Sequence, residues 1–151
     1  MSKQDEAGLI LKLYELRREE VMRKARDWYS IEFNPETIAD FNEAMMGEHS
    51  GHLRMVVTFW DMAAALVNDG AISRDLFNQA NGEHFVAFGK IEPILGEIRK
   101  VLPANFAANL EKLIDATPDG RKRTAEMRER MKQIRTMLMQ RQAKARSSAN
   151  N

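Results

Sequence analysis

The stretch HLRMVVTFWDMAAALVNDG, residues 52–70, decides the fold class. Its apolar residues recur every three or four positions, as they do along one face of an α-helix, and they do not alternate as in a strand. Asn68-Asp69-Gly70 predicts where this helix ends, because glycine readily takes the left-handed conformation after a last turn. We predict a helix over residues 52–68 whose core face is formed by Leu53, Val56, Trp60, Ala63, Ala64 and Val67.

Helical spacing continues on both sides of this stretch. A first helix is predicted from Ser2, a plausible N-cap, to about Tyr29, with an inward stripe that includes Tyr14, Val21 and Ala25. Gly47 and Gly51 predict a break before the central helix, and Pro93 predicts a kink in a later one. No segment has the period-two pattern of a strand. The sequence therefore predicts an all-α fold, an irregular bundle of about five to seven helices.

Size and composition predict one domain. The chain has 151 residues and 44% hydrophobic residues, enough for a single core. Its longest apolar stretch, residues 55–67, is much shorter than the roughly 20 residues of a membrane span. The first residues, MSKQDEAG, do not resemble a secretory signal, so we expect a cytoplasmic protein. The absence of cysteine excludes disulfides, thiolate metal sites and cysteine nucleophiles.

Charge divides the chain after Gly120. Residues 1–120 hold 13 Lys/Arg and 20 Asp/Glu, a net charge of −7, whereas residues 121–151 hold 10 and 2, a net charge of +8. This predicts an acidic helical body and a basic C-terminal helix over residues 121–146, either part of the same domain or projecting from it. The closing SSANN, residues 147–151, has no apolar anchor and is expected to fray. We call the cations of this helix the basic arm: Arg121, Lys122, Arg123, Arg128, Arg130, Lys132 and Arg135, followed by Arg141, Lys144 and Arg146.

The basic arm predicts an anionic partner. It lacks the aromatic residues that stack single-stranded bases, so the remaining partners are a nucleic-acid duplex backbone or an acidic protein surface of the same or a neighbouring subunit. Plain solvation of the cations is the third alternative. The same helix carries Met127, Met131, Ile134 and Leu138 at spacings of four, three and four, the alternation of a packing seam. This seam predicts a homodimer.

Histidines supply the main candidates for chemistry. GEHSGH, residues 47–52, places His49 and His52 on one face of a helix, beside Glu48. A divalent metal or an acid/base site would need a further group, for which His84, Asp61 and Glu83 are the candidates. The spacing differs from the zinc motif HExxH, so histidines near a helix break are the alternative interpretation. No other cofactor is expected, since phosphate-binding loops and nucleophile elbows are absent from the sequence.

One short region carries a resemblance. Residues 59–62 (FWDM), 67–70 (VNDG), 75–77 (DLF) and 91–93 (IEP), together with Phe88 and Arg99, give a packing pattern over about 40 residues. This pattern resembles small bacterial all-helical domains of unknown function. Many such families also carry an N-terminal membrane helix, which we do not expect in this chain. The resemblance implies a bacterial helical bundle and brings no catalytic residues with it.

These observations favour a non-enzymatic protein–protein interaction module. Two alternatives from other classes stay open. One is a metal-binding or acid/base enzyme that uses His49, His52 and Glu48, and the other is a nucleic-acid-associated protein that uses the basic arm.

Overall fold

The computed structural model describes residues 2–151, and this part of the chain is helical without any strand. The all-α prediction is therefore confirmed. Residues 2–151 form nine α-helices: α1 (Lys3–Arg17), α2 (Glu20–Asp27), α3 (Ile38–Met46), α4 (Ser50–Asn68), α5 (Arg74–Ala80), α6 (Glu83–Ile91), α7 (Leu95–Val101), α8 (Ala108–Ala116) and α9 (Gly120–Ala149). A π-helical turn, Trp28–Glu32, extends α2, and a 3₁₀ turn, Glu92–Ile94, joins α6 to α7.

The helix count exceeds the expected five to seven because predicted long helices are interrupted. The first one breaks after Arg17, where the Glu19 carboxylate accepts the backbone N–H of Met22 at 3.1 Å and caps α2. The break rotates the following face, so that Met22 and Ala25 are buried while Val21 stays exposed. The predicted inward position of Val21 was wrong for this reason, since a single helical period was carried across two helices. Tyr14, in α1 before the break, is also exposed and not part of the core.

Helix α4 forms the centre of the bundle. It packs against α8 on one side and α2 on another, and its Trp60 and Leu53 are buried. It ends at Asn68, as predicted, and Gly70 follows with a φ of 89°. Gly47 does end α3, but Gly51 lies within the first turn of α4, so only the first of the two glycines marks the predicted break.

The junction between α8 and α9 depends on close backbone contact. Asp119 adopts a left-handed φ of 55°, and the Gly120 N–H donates to the Thr117 carbonyl at 2.9 Å. A Cβ atom on Gly120 would lie 1.8 Å from the Ile114 carbonyl oxygen. Glycine is required here because any side chain would collide with the end of α8.

Helix α9 packs through its first turns and then projects from the body. Thr124 is buried against α6, and Met127 is partly buried against the core. From residue 140 onward every residue is exposed. The helix continues to Ala149, so the fraying expected for residues 147–151 stays a prediction. No helix within residues 2–151 is both long and apolar enough to cross a membrane.

Candidate functional site

His49 and His52 lie next to each other at the start of α4. Their ring centroids are 5.4 Å apart, and His49 stacks on Trp28 at 5.2 Å. Glu48 is mostly exposed, with its Oε1 atom 3.5 Å from Nε2 of His49. His52 Nδ1 is buried without a hydrogen-bond partner. The pair therefore belongs to an aromatic cluster at the surface of the body.

His84 lies in a different place, inside the core. Its ring packs against Phe85, Phe77 and Trp60, with centroid distances of 4.3, 4.9 and 5.7 Å. Nε2 is 2.9 Å from the Asn78 Oδ1 atom, which can only accept, so Nε2 carries the proton. Burial, followed by the nearby Arg123 and Arg17 charges, lowers the pKa of His84 to about 3. His84 is a neutral core residue at physiological pH.

The three histidines do not converge. Within residues 2–151, no group of three His, Asp or Glu side chains is arranged to hold a metal ion. The metal alternative required a third ligand beside His49 and His52, and His84 is surrounded by other residues. The arrangement gives that alternative no support.

Glu83, another candidate ligand, is held by two arginines. Its Oε2 atom accepts from Arg17 Nη2 at 2.6 Å and from Arg26 Nη2 at 2.8 Å, while Arg26 Nε donates to Oε1 at 2.9 Å. Arg17 also lies over the Trp60 ring at 5.1 Å. This cluster ties α1 and α2 to the start of α6 and leaves no carboxylate oxygen of Glu83 for a metal. Sequence reasoning missed it because the partners are 57 and 66 residues apart.

Asp61 points towards α8. Its Oδ1 accepts the Leu110 backbone N–H at 2.9 Å, and its Oδ2 accepts from the Asn109 side chain at 3.0 Å. Its oxygens are occupied by a structural contact, and it is only partly buried. Asp61 was a candidate metal ligand from the sequence, and the structure instead gives it a role in joining two helices.

Lys90 is a further site residue, which no motif in the sequence marks. Its Nζ donates to the Ser30 and Phe33 carbonyls at 2.8 Å and to Asn34 Oδ1 at 2.9 Å. Burial, and secondarily the Arg135 charge, lowers the pKa of Lys90 to about 8. Because all three ammonium hydrogens are used by oxygen acceptors, Lys90 anchors the end of the π-helical turn. A lone lysine in an apolar helix face was the only available signal.

The basic arm is divided between two roles. Arg121 pairs with Asp115, Glu92 and Glu111, and Arg128 pairs with Glu92 and donates to the Gly89 carbonyl at 2.7 Å. Arg123 lies over the Phe85 ring at 4.3 Å. These three arginines therefore fasten α9 to its own body. The remaining cations of the arm are exposed: Lys122, Arg130, Lys132, Arg135, Arg141, Lys144 and Arg146.

The predicted seam, like the basic arm, has one part that contacts the body and one part that does not. Met127 packs against the core, and Met131 lines a crevice between α9 and the body. Ile134 and Leu138 do not line this crevice, and Ile134 is 38% exposed. Only this second half of the seam faces outward.

Comparisons with known proteins return a family and no characterised relative. No curated protein and no solved structure matches the chain. A family model described as "Domain of unknown function (DUF4760)" matches residues 5–117, which contain α2 to α8 and most of α1. The resemblance to domains of unknown function is confirmed by this match, which covers about three quarters of the 151 residues. The chain belongs to the DUF4760 family.

Proposed function

We propose that the protein is a non-enzymatic interaction module that forms a homodimer through the projecting part of α9. We call this part the distal arm and define it as residues 130–149. One observation carries the proposal: the distal arm holds unpartnered apolar side chains away from the core. Arg128 is the last residue of α9 whose side chain bonds to the body within residues 2–151.

The apolar side chains of the distal arm form one stripe. Met137 and Leu138 follow Ile134 by three and four residues, so each shares a face with it, and Met137 is 66% exposed. Together with the stem of Arg141 they line a shallow surface pocket. Most of the stability of a helix in a protein comes from packing of its apolar face, which the distal arm leaves in water. The apolar stripe therefore favours a protein partner.

A second copy of the chain is the partner that we propose. A nucleic-acid backbone would use the cations of the distal arm but would leave the apolar stripe in water. A second copy offers both an identical apolar stripe and an acidic body to the same arm. Two-fold symmetric dimers of one chain are also the commonest assemblies among soluble oligomers.

The test is the mass of the protein in solution, measured by sedimentation equilibrium over a range of concentrations. We expect a dimer for the wild type and a monomer for Ile134→Asp/Leu138→Asp, because both changes place charge in the apolar stripe. Ala143→Asp/Ser147→Asp is the matched control, since these exposed positions face away from the apolar stripe and do not line the crevice between α9 and the body, and it should leave the dimer intact. A wild-type monomer at every concentration would refute the proposal.

A second candidate, contact with a nucleic-acid duplex, is favoured by the exposed cations of the distal arm. Arg130, Arg135, Arg141, Lys144 and Arg146 make no ion pair within residues 2–151. Binding through them would be steeply salt-dependent and independent of base sequence. A gel-shift titration with duplex DNA at low salt tests it, and the absence of a shift would remove this candidate.

A further inference from the structure

Charge is segregated along the chain more sharply than its division into body and arm suggests. Residues 27–53 contain no Lys or Arg and six acids: Asp27, Glu32, Glu36, Asp40, Glu43 and Glu48. The distal arm contains no Asp or Glu and six cations: Arg130, Lys132, Arg135, Arg141, Lys144 and Arg146. The two segments are matched in number and opposite in sign, so each is the kind of surface that the other would bind.

The acidic segment forms a groove. A cavity of about 420 Å³ opens between the π-helical turn, α3 and the turn that precedes α4. We call it the acidic groove. Trp28 and Phe33, stacked at 5.3 Å, contribute apolar surface beside His49, against which the aliphatic stem of an arginine or lysine can pack. Its acidic lining consists of Glu32, Asp40, Glu43 and Glu48.

Most of these carboxylates lack a cation. Glu32 and Glu43 form no ion pair within residues 2–151, and Glu48 has only the neighbouring His49. Asp40 is the exception, since it accepts the backbone N–H groups of Glu36 and Thr37, which lowers its pKa. Several carboxylates held around one groove repel one another until a cation enters. The acidic groove therefore fits a basic segment.

The chain's own distal arm starts beside this groove but runs past it. A crevice of about 520 Å³ separates α9 from the body and is lined by Pro35 and Glu36 on one side and by Arg135 and Met139 on the other. Pro35 also lines the acidic groove, so the two openings are neighbours. Because α9 is one uninterrupted helix, its residues 140–149 extend into solvent and cannot fold back into the groove.

We propose that, in the homodimer, the distal arm of each copy docks in the acidic groove of the other. This inference rests on the proposed function, since it names the surface that receives the arm. The beginning of the distal arm lies next to the acidic groove of its own copy, since Pro35 lines both openings. A two-fold axis near Pro35 therefore brings each distal arm to the acidic groove of the partner. Docking of both arms buries the two apolar stripes. It also pairs the cations of each distal arm with the carboxylates of the other copy's acidic groove.

A charge swap on the full-length protein tests this arrangement. One variant carries an acidic arm, Arg141→Glu/Lys144→Glu, and the other carries a basic groove, Glu43→Lys/Glu48→Lys. All four positions are exposed, so both chains should fold. Each variant alone should dimerise at least about tenfold more weakly than the wild type, because its two reversed side chains then repel the charges that they face in the other copy. An equimolar mixture should recover dimers that contain one chain of each kind, because both of its contacts are attractive again.

The controls separate this inference from the proposed function. Asp69→Lys/Glu97→Lys makes the same change in net charge at exposed positions outside the groove and should leave dimerisation unchanged. If the wild type dimerises but the basic-groove variant dimerises equally well, the docking site is wrong and the homodimer stands. If the wild type never dimerises, the proposed function itself fails. Native mass spectrometry of the mixture, with one chain isotopically labelled, distinguishes the mixed dimer from the two homodimers.

Discussion

The carboxylate of Asp61 in α4 caps α8, where its Oδ1 accepts the Leu110 N–H at 2.9 Å. Helix α8 begins after Ala107, whose φ of 56° is left-handed and whose side chain cannot cap the free amides. Asp61 therefore supplies from another helix the acceptor that a local Ser or Asp usually provides. This contact explains an acid in the largely apolar helix α4, and it fixes α8 along α4.

Removal of that cap should weaken the fold. We expect Asp61→Ala to lower the free energy of unfolding by about 1–2 kcal/mol, and Asp61→Asn by less, because the amide oxygen still accepts. Urea denaturation followed by circular dichroism measures both. Asp69→Ala, an exposed acid at the end of the same helix, is the control and should change stability little. Equal effects at positions 61 and 69 would refute the capping role.

The Glu83 carboxylate should contribute more to the free energy of unfolding than the Asp61 cap, because it pairs with two arginines. Glu83→Ala leaves Arg17 and Arg26 facing each other, with side chains only 15% and 24% exposed. We expect a loss of about 3 kcal/mol in the free energy of unfolding. Glu20→Ala breaks an exposed pair with Lys24 and should cost at most about 0.5 kcal/mol. Urea titrations compare the two, and a similar loss for both would contradict the account.

Neutral His84 makes the fold sensitive to acid. Its folded-state pKa of about 3 lies below the ordinary 6.5, so between these values the unfolded chain takes up a proton that the folded chain does not. Stability falls with decreasing pH in this window, by about 2 kcal/mol between pH 7 and pH 5. His84→Gln keeps a donor for Asn78 and cannot titrate, so it should lack this part of the loss. Parallel pH profiles for the two proteins would show that His84 is not the cause.

Gly120 should tolerate no side chain. Gly120→Ala forces the α8–α9 junction apart, because the new Cβ would overlap the Ile114 carbonyl, and we expect a loss of at least about 2 kcal/mol in unfolding free energy. Gly96→Ala is the matched control, since Gly96 is helical with no atom within 4 Å of its added Cβ. It should be neutral or slightly stabilising. Thermal unfolding of both variants checks the difference, and equal melting temperatures would contradict it.

Local sequence patterns predicted the individual helices better than they predicted how the helices pack together. The spacing around Trp60 and the stop at Gly70 were enough for α4, because both signals lie within a few residues. The break after Arg17 was missed, since Glu19 caps through its side chain and is not a typical N-cap residue. The predicted number of helices was too low because a break of this kind has no typical N-cap residue to mark it in the sequence.

The candidate site shows the same limit. GEHSGH correctly marked a region where one helix ends and another begins, and the nearness of His49 and His52 followed from their spacing. The position of His84 did not follow, because it depends on how α6 packs against α4. Likewise, the seam from Met127 to Leu138 looked continuous in sequence, and only the packed structure shows where α9 leaves the body.

Amide hydrogen exchange of the distal arm, measured at several protein concentrations, tests the central claim most directly. If a second copy covers the arm, the amides around Ile134 and Leu138 should become more protected as concentration rises, while those of α4 stay constant. Ile134→Asp/Leu138→Asp should remove the concentration dependence. Exchange in the distal arm that is equally fast at every concentration would contradict the proposal that this helix is the dimer contact.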